Sequence, residues 1–516
     1  MKRKELLFGS LFIGGALALT RLLFAKSHST KQTPTSPSYD VVGSYIESQM
    51  HRLHIPGASL AIIEGDQIVH RRGFGLARPR GETPTSQTPF FIGSLTKSIT
   101  ALAVMQLVET GKVELDAPVQ RYLPWFRVAD PEASIQMTVR HLLNQTSGLP
   151  MSAGLVTLAD FDDRLDATER QVRALSSLKI KRPVGSKWEY SNLNYNILGL
   201  IIEAASGESY TDYIQNHIFN PLRMVHTYTS KAVAKENGLA QGHRHWFSLP
   251  LPAPDLPVPL GSLPSGQLIS CAEDMAHYLV AHLNGGHYED AQILSSAGID
   301  ELHRGAAQYS AGSISSGKYG MGWFEIDLGQ TKTFSHGGNV ADFSAFIALV
   351  PAQKKGLVIL FNADPYGLPM ITGEIGMGVT AVLAGQQPAP VKLDFIQWIM
   401  RLLPIIPLLQ VVGVFTTLRM LRNWRRDPAS RPEGVRMWGQ HILLPLIPNL
   451  SLAAILQYLR STGLLSFINL YMPDLAWITQ LSGGFAGVWA VQRTRLLLNN
   501  LRNPSPLNSH LEDANR

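Results

Sequence analysis

The sequence predicts an α+β fold for residues 40–385. Runs typical of β-strands lie near both ends of this range, and runs typical of helices occupy its middle. Strands drawn from both ends of a domain can form one sheet with a helical insert beside it. Apolar segments that fit neither pattern precede and follow the range, and these predict membrane helices. A chain of 516 residues is also long enough for more than one structural unit.

The first predicted strands form a hairpin. The stretch "GASLAIIEGDQIVHRRGFG" (57–75) has β-rich runs on both sides of Glu64–Asp66, whose Glu-Gly-Asp sequence is a turn signal. Strand patterns return late in the domain, at 332–336, 343–350 and 357–362. We therefore expect the two ends of the domain to contribute strands to one sheet.

The middle of the domain is predicted to be helical. The helical patterns cover 98–111, 138–144, 194–205, 209–217 and 272–284. A proline-rich stretch, "SLPLPAPDLPVPLGSLPSG" (248–266), interrupts them and is predicted to be an ordered surface loop.

Residues 1–26 read as a signal peptide or an N-terminal membrane anchor. Three basic residues are followed by an apolar run from Leu6 to Ala25 that only Arg21 interrupts. The end of this run is a poor small-x-small cleavage site, which favours the anchor. Residues 27–39 are rich in Ser, Thr and Pro and are predicted to be a flexible exported linker.

The C-terminal region 396–491 predicts three transmembrane helices, followed by a cytoplasmic tail at 492–516. The apolar segments are Ile396–Leu418, Ile442–Leu459 and Leu475–Val491. A bilayer requires about 20 apolar residues per helix, with ~17 as the lower edge. A buried core helix is the alternative for any single segment. Gly483 and Gly487 have the GxxxG spacing that allows close helix approach, so oligomerisation through this end is one expected role.

Charge predicts the orientation of these helices. The net charge is +6, but residues 1–26 carry +4, residues 392–516 carry +7 and the middle carries −5. The loop between the first two apolar segments holds six arginines: Arg419, Arg422, Arg425, Arg426, Arg431 and Arg436. The positive-inside rule places this loop and the C-terminus in the cytoplasm, and residues 27–395 outside the cell membrane. Because the basic residues flank apolar segments, we expect a membrane partner and no nucleic acid.

Several site types lack their sequence signature. Cys271 is the only cysteine, so neither an internal disulfide nor a cysteine-based metal site is expected. The two close histidine pairs, His51/His54 and His243/His245, lie in no H-E-x-x-H pattern. The chain has neither a G-x-x-x-x-G-K-[ST] loop nor a G-x-S-x-G elbow. We expect no metal and no cofactor.

Ser94 and Lys97 are the first candidate catalytic pair. In "FFIGSLTKSITALAVMQLVETGK" (90–112) they lie three residues apart, on one face of a predicted helix. A serine hydroxyl becomes a useful nucleophile when a nearby base removes its proton. A lysine can be that base if burial lowers its pKa, and the apolar stretch after Lys97 could supply the burial. The alternative is a helix-capping serine beside a solvated lysine.

Two distant stretches change this assessment. "WEYSNLNYNILG" (188–199) places Tyr190, Ser191 and Asn192 just before a helix, and "SHGGNVADFSAFIALVP" (335–351) places His336, Gly337 and Gly338 on a late strand. With S-x-x-K at Ser94, this order resembles the class C β-lactamase and DD-peptidase family of penicillin-recognising serine hydrolases. The resemblance covers about residues 40–385 and implies an antiparallel sheet flanked by helices, with a helical subdomain.

The resemblance also implies a role for each residue. Ser94 would be the acylated nucleophile, and Lys97 and Tyr190 a coupled proton-shuttling pair in which either could take the first proton. Asn192 would hydrogen-bond Lys97 and the substrate amide. The backbone N–H groups of Ser94 and Asn339 would form the oxyanion hole. Gly337 and Gly338 would let the strand lie close to the substrate.

His336 stands where β-lactamases of this family usually have lysine. This change weakens the fixed positive charge that would hold a β-lactam carboxylate, and it predicts pH-sensitive binding near neutrality. It also ranks peptidase and esterase activity above a dedicated β-lactamase. The alternative is a strand histidine that simply hydrogen-bonds its neighbours.

The sequence thus predicts a membrane-tethered extracytoplasmic serine hydrolase. It would act through an acyl-enzyme on a D-alanyl peptide, a related amide or an ester, with cell-wall peptides or β-lactams among the candidate substrates. A different class of function is a catalytically silent relative that binds peptidoglycan or regulates a membrane partner. The intact Ser94, Lys97 and Tyr190 favour the enzyme.

Overall fold

A computed structural model describes residues 39–79, 81–310, 316–367, 370–391 and 394–502. The predicted signal peptide or anchor (1–26) lies outside the described residues, as do nearly all of the linker and the last part of the predicted tail.

The α+β domain contains fourteen described strands, the longer of which lie towards its two ends. They are β1 (Gly57–Glu64), β2 (Gln67–Gly75), β3 (Phe90–Phe91), β4 (His243–Trp246), β5 (Leu249–Pro252), β6 (Ile269–Ser270), β7 (His287–Tyr288), β8 (Ala291–Gln292), β9 (Ala307–Ser310), β10 (Ser316–Tyr319), β11 (Phe324–Leu328), β12 (Thr331–Val340), β13 (Phe343–Val350) and β14 (Lys355–Phe361).

The helices fill the middle of the chain and all of its C-terminal region. They are α1 (Tyr39–Leu53), α2 (Thr96–Glu109), α3 (Val119–Tyr122), α4 (Pro131–Gln136), α5 (Val139–Leu143), α6 (Met151–Val156), α7 (Ala167–Arg173), α8 (Asn192–Ser206), α9 (Tyr210–Ile214), α10 (Lys231–Glu236), α11 (Leu263–Gly266), α12 (Ala272–Leu283), α13 (Ser296–His303), α14 (Met370–Leu383), α15 (Asp394–Leu402), α16 (Ile405–Arg426), α17 (Gly434–Arg436), α18 (Leu444–Ser461), α19 (Leu464–Tyr471) and α20 (Pro473–Arg502).

One antiparallel sheet joins the two ends of the domain. Its order is β2-β1-β14-β13-β12-β11-β10-β9, so the N-terminal hairpin pairs directly with the last strand. Ala58 lies opposite Phe361 in that pairing. The predicted α+β fold is confirmed, because strands from both termini build the sheet and the helices lie between them in the chain.

The sheet is covered on both faces, which explains why β13 and β14 are largely apolar and are buried along nearly their whole length. On one face, side chains such as Ile347 and Leu360 join a core that includes α2, α8 and α12. On the other face, Phe346 and Ile359 pack against α1 and α14. The helical subdomain lies between β3 and β6 in the chain, and its central helix α8 is buried along most of its length.

Two C-terminal helical stretches, Gln397–Arg426 and Gly434–Ser461, are long and apolar enough to cross a membrane by length and composition. Only 6% and 11% of their apolar windows is buried, whereas the core helix of a soluble protein would be mostly buried. The third predicted segment lies within α20 and is not among these spans. Its Gly483 and Gly487 face α18 of the same chain, where a Cβ on Gly483 would lie 2.8 Å from Leu456 Cβ.

The C-terminal helices also contact the α+β domain. A carboxylate oxygen of Asp474, in the first turn of α20, accepts a 2.9 Å hydrogen bond from the Phe247 backbone N–H. The Gln397 amide donates to the Arg52 carbonyl at the end of α1. Short helix α19 packs against α6 and the turn that follows α6.

Candidate active site

Ser94 lies in a single 3-10 turn, Gly93–Leu95, between β3 and α2. It is partly exposed, while the residues on both sides of it are buried. Leu95 precedes α2 and no side chain caps that helix, so Ser94 is not the capping serine of the alternative interpretation. The turn therefore presents the hydroxyl at the surface of an otherwise packed region.

Lys97 is completely buried, with 0% of its surface exposed. Its Nζ lies 3.0 Å from Ser94 Oγ, 2.8 Å from Asn192 Oδ1 and 2.5 Å from the Ser265 carbonyl oxygen. Burial holds the pKa of Lys97 well below the usual range of a lysine, because the charged form loses its hydration. The solvated-lysine alternative is therefore wrong.

Tyr190 faces Lys97 from the other side of the nucleophile. The Lys97 Nζ lies 4.9 Å from the centre of the Tyr190 ring. Burial raises the pKa of Tyr190 well above its ordinary value, Tyr319 raises it further, and a hydrogen bond with the Ser94 side chain lowers it. Tyr190 keeps some exposed surface, but its hydroxyl is in a low-dielectric environment that favours the protonated phenol.

Asn192 is the first residue of α8 and is held at both ends of its amide. Its Nδ2 donates to the Gly154 carbonyl of α6 at 3.2 Å, which leaves Oδ1 to accept from Lys97. Donation to a carbonyl fixes which amide atom faces which neighbour. The helical subdomain thus contributes one wall of the site through α6 and α8.

Strand β12 forms the opposite wall and closely approaches the 3-10 turn Gly93–Leu95, which we call the nucleophile turn. A Cβ on Gly338 would lie 1.9 Å from the Ile92 carbonyl oxygen and 3.1 Å from the Ser94 nitrogen. A Cβ on Gly93, whose φ is +53°, would lie 2.3 Å from the Asn339 nitrogen. A Cβ on Gly337, in contrast, would have no neighbouring atom of the described chain within 4 Å. Glycine is required at Gly93 and Gly338 because the backbones of Ser94 and Asn339 lie so near each other.

His336 lies behind Tyr190, with ring centres 6.3 Å apart. Its Nδ1 is 2.6 Å from the Gly337 carbonyl oxygen, and its Nε2 is buried with no hydrogen-bond partner among the described residues. Burial and the nearby Lys97 lower the pKa of His336 to about 3. The neutral-range pH sensitivity expected from the sequence does not follow from this environment, since the imidazole stays uncharged.

The structure adds groups that the sequence interpretation missed. The Ser265 carbonyl contacts Lys97 although it lies in the stretch predicted to be a surface loop. Asp364 accepts from the Asn339 side chain at 2.9 Å and is buried. The Gln145 side chain accepts from the Ser191 backbone at 2.8 Å, just before α8. A main-chain carbonyl such as that of Ser265 leaves no residue-type signal, and the Asp364 and Gln145 contacts depend on how distant segments pack.

Among the described residues, His226, Cys271 and Asp274 bring three metal-type ligand atoms within 4.8 Å of one another. Each already has a structural role. Asp274 Oδ2 accepts from the His226 backbone and the Thr227 hydroxyl, and Cys271 Sγ accepts from the Asp274 backbone at the start of α12. The cluster is therefore explained as a helix cap.

Comparison with known families agrees with this geometry. Residues 42–373 match the family described as Beta-lactamase. The chain belongs to the beta-lactamase family. This assignment places Ser94, Tyr190 and β12 inside the family domain, and it leaves the C-terminal helices outside it.

Relatives of this beta-lactamase family member include both curated proteins and solved structures. It is 29% identical to Protein flp of Staphylococcus aureus (strain MW2) over 340 residues, which is 65% of this chain and 66% of that protein. It is 31% identical to Penicillin-binding protein 4 of Amycolatopsis lactamdurans over 319 residues, 60% of this chain and 81% of that one. The chain therefore spans slightly less than two thirds of the length of Protein flp.

Among solved structures, the octameric penicillin-binding protein homologue from Pyrococcus abyssi superposes with a TM-score of 0.61 at 28% identity, covering 71% of this chain and 82% of that one. A class C beta-lactamase superposes with a TM-score of 0.56 at 22% identity, covering 67% and 96%. The second similarity concerns the fold alone.

Proposed function

We propose that this beta-lactamase family protein is a membrane-tethered extracytoplasmic serine hydrolase that acts through an acyl-enzyme on D-alanyl peptides, related amides or esters. The observation that carries the proposal is the environment of Lys97. Its Nζ has three oxygen neighbours, from Ser94, Asn192 and Ser265. A neutral amine has only two N–H bonds, so if Asn192 and Ser265 accept them, the lone pair faces the Ser94 hydroxyl.

Acylation follows from this arrangement. The neutral Lys97 amine takes the Ser94 proton as Oγ bonds to the substrate carbonyl carbon. The backbone N–H groups of Ser94 and Asn339 stabilise the oxyanion. Tyr190, a protonated phenol hydrogen-bonded to Ser94, passes its proton to the leaving amine or alcohol and is reprotonated from Lys97. The carbonyl reforms, the leaving group departs, and Ser94 carries the acyl group.

Deacylation reverses the roles of the same groups. A water molecule attacks the acyl carbon while Lys97 and Tyr190 act together as its base, and the proton returns to Ser94 as the ester bond breaks. The pair is treated as one coupled unit, because two groups this close share their titration.

The neutral His336 supports amides and esters that are not recognised through a carboxylate over β-lactams. A lysine at this position would offer a fixed positive charge to a carboxylate, and a buried imidazole with a pKa of about 3 does not. Tethering is supported by the two exposed apolar stretches of the C-terminal region. The extracytoplasmic location is supported by the arginines at the adjoining ends of these stretches and between them.

Covalent labelling tests the proposal. A fluorophosphonate probe should label the wild type and Ser176→Ala, which changes an exposed serine, but not Ser94→Ala. Intact-protein mass spectrometry after exposure to D-alanyl peptides, esters and β-lactams in competition should then show which acyl group is retained. Equal labelling of wild type and Ser94→Ala would remove Ser94 from the mechanism. No labelling and no turnover of the wild type would favour the catalytically silent alternative.

A further inference from the structure

A cavity of about 160 Å³ lies at one end of the active-site cleft. Much of its wall comes from α10 and the proline-rich stretch, within residues 231–259. Phe91 of β3, Val340 and Phe343 at the β12–β13 turn, and Leu470 and Tyr471 of α19 complete it. Apart from its paired charges, most of the lining is apolar. The protein thus offers a partly open, largely apolar cavity built from parts of the chain that are far apart in sequence.

The cavity adjoins the nucleophile without including it. Phe91 lies three residues before Ser94, and Val340 directly follows Asn339. Gln267, another lining residue, follows Gly266, on which a Cβ would lie 3.9 Å from the Ser94 nitrogen. A group attached to Ser94 Oγ can therefore extend into the cavity along the end of β12.

The position of Tyr190, the proposed proton donor, determines which part of a substrate points towards the cavity. The leaving group must lie beside Tyr190, which supplies its proton and packs next to His336 near the middle of β12. The acyl chain leaves the same carbonyl carbon on the other side. It therefore runs from Asn339 towards Val340, which is the cavity end of the strand.

The charged side chains of the lining are paired with one another or with a neighbour. Lys231 lies 2.7 Å from Asp255, and Lys235 also binds Asp255. Asp342 binds Arg244 at 2.8 Å. Because each of these charges already has an oppositely charged partner, a charged acyl group gains little here, and an apolar group gains the removal of its surface from water.

The C-terminal wall is firmly packed against the catalytic domain. Leu470 and Tyr471 are 9% and 6% exposed and share a cluster with Ala341, Leu158 and Leu256. Burial raises the pKa of Tyr471, and Asp364, Asp342 and the Tyr190 phenol of the active site raise it further. The family match ends at residue 373, so this wall comes from a region outside the family domain.

We propose that α19, through Leu470 and Tyr471, determines acyl specificity by closing a pocket for an uncharged apolar acyl group about the size of a phenyl ring. This inference rests on the proposed function. The size follows from the cavity volume, since an apolar cavity of ~150 Å³ in another protein binds benzene. The C-terminal helices would then be part of the substrate site as well as a tether.

Ester selectivity in the full-length detergent-solubilised protein tests this inference. We compare kcat/KM for p-nitrophenyl phenylacetate and p-nitrophenyl acetate, which share one leaving group. The wild type should prefer phenylacetate by at least ~10-fold, since apolar pocket contacts worth a few methylene groups give 10-fold or more. Leu470→Trp fills the cavity and should reduce the ratio to within about 2-fold of unity. Ser466→Trp, which adds the same ring on the exposed side of α19, should leave the ratio unchanged.

A second variant keeps the test valid if the Leu470→Trp protein does not fold. Leu470→Ala enlarges the cavity and should raise the rate for the 3-phenylpropanoate ester relative to phenylacetate. If Ser94-dependent acetate hydrolysis is present but none of these ratios responds to Leu470, the inference is overturned and the proposed function stands. If no ester is turned over and the probe fails to label Ser94, both fail together.

Discussion

At the scale of residues, Lys97 is both unfavourable to bury and central to the proposed mechanism. A lysine with no exposed surface is unfavourable in its charged form, and its described contacts are two carbonyl-type oxygens and one hydroxyl, with no carboxylate. Desolvation therefore favours the neutral amine, which is the form that can accept a proton. The same burial keeps Tyr190 protonated, so one environment prepares a base and an acid.

Replacing Lys97 with arginine should abolish most of the activity. A guanidinium stays protonated under all relevant conditions, so Lys97→Arg introduces a fixed positive charge and cannot act as a base. We expect kcat for an ester substrate to fall by about 10²–10⁴-fold, the usual contribution of general base catalysis. Lys112→Arg, an exposed position beyond the end of α2, should match the wild type. Retention of kcat within a factor of about three in Lys97→Arg would assign the base elsewhere.

The pH profile should follow Lys97 and not His336. The pKa of Lys97 is lowered, so the active neutral form grows as pH rises and is complete before the ordinary lysine value of 10.5. The pKa of Tyr190 is raised, so its proton is retained through the same range. We expect kcat/KM for an ester to rise with pH and to reach a plateau below pH 10.5. An inflection near pH 6.5 that disappears in His336→Gln would contradict the pKa of about 3 for that imidazole.

At the scale of elements, the contact between β12 and the nucleophile turn decides whether an oxyanion hole can form. The strand can reach Ser94 only because Gly93 and Gly338 lack the Cβ atoms that would collide with the facing backbone. Asn339 is then held from the side by Asp364, whose own pKa is raised well above its ordinary value by burial. Neutral Asp364 can accept the Asn339 amide without placing a negative charge next to a developing oxyanion.

Gly338→Ala and Gly337→Ala form a matched pair that tests this contact. The first adds a methyl group 1.9 Å from the Ile92 carbonyl oxygen and must push the strand away, while the second adds it where no described neighbour lies within 4 Å. We expect kcat to fall by about 10²–10³-fold in Gly338→Ala, the effect of losing one oxyanion donor. Gly337→Ala should stay within a few-fold of the wild type. Equal activities at equal thermal stability would show that the approach of β12 does not matter for catalysis.

At the scale of the whole molecule, the C-terminal helices expose a large apolar surface, which the proposed tether would place in a membrane. The exposed side chains of Gln397–Arg426 and Gly434–Ser461 are largely apolar, which water does not favour. The six arginines lie at the end of the first stretch, at the start of the second and between them, whereas α19 follows the second stretch and packs against α6. This arrangement supports the proposed orientation, in which the active-site cleft and the arginine-rich loop lie on opposite sides of the membrane.

Reporter fusions test this orientation. Alkaline phosphatase fused after Arg516 should be inactive, and green fluorescent protein at the same point should fluoresce. This outcome requires the third predicted crossing, within α20, after which the positive-inside rule keeps the C-terminus in the cytoplasm. A phosphatase fusion in the turn between α18 and α19, at Thr462, is the matched control and should be active. High phosphatase activity from the C-terminal fusion would overturn the proposed topology.

Local patterns in the sequence are enough to predict the fold class and the main candidates of the site. The N-terminal hairpin, the late strands and the helical middle are visible as local periodicities, since strand and helix patterns depend on neighbouring residues. Ser94, Lys97, Tyr190 and the glycines of β12 are conspicuous because their residue types carry the chemistry. The order of the motifs along the chain predicted that these residues lie around Ser94, and the structure brings them together there.

Burial and the approach of distant backbone segments, in contrast, come only from the folded chain. Whether Lys97 is solvated or buried, and whether His336 can hold a charge near neutrality, depends on the low-dielectric surroundings that packing creates. The Ser265 carbonyl and the Asp364 carboxyl reach the site from other parts of the chain. Leu470 reaches the cleft from a region that the sequence assigned only to the membrane. Such contacts follow from how the chain is folded in space, and no local pattern encodes them.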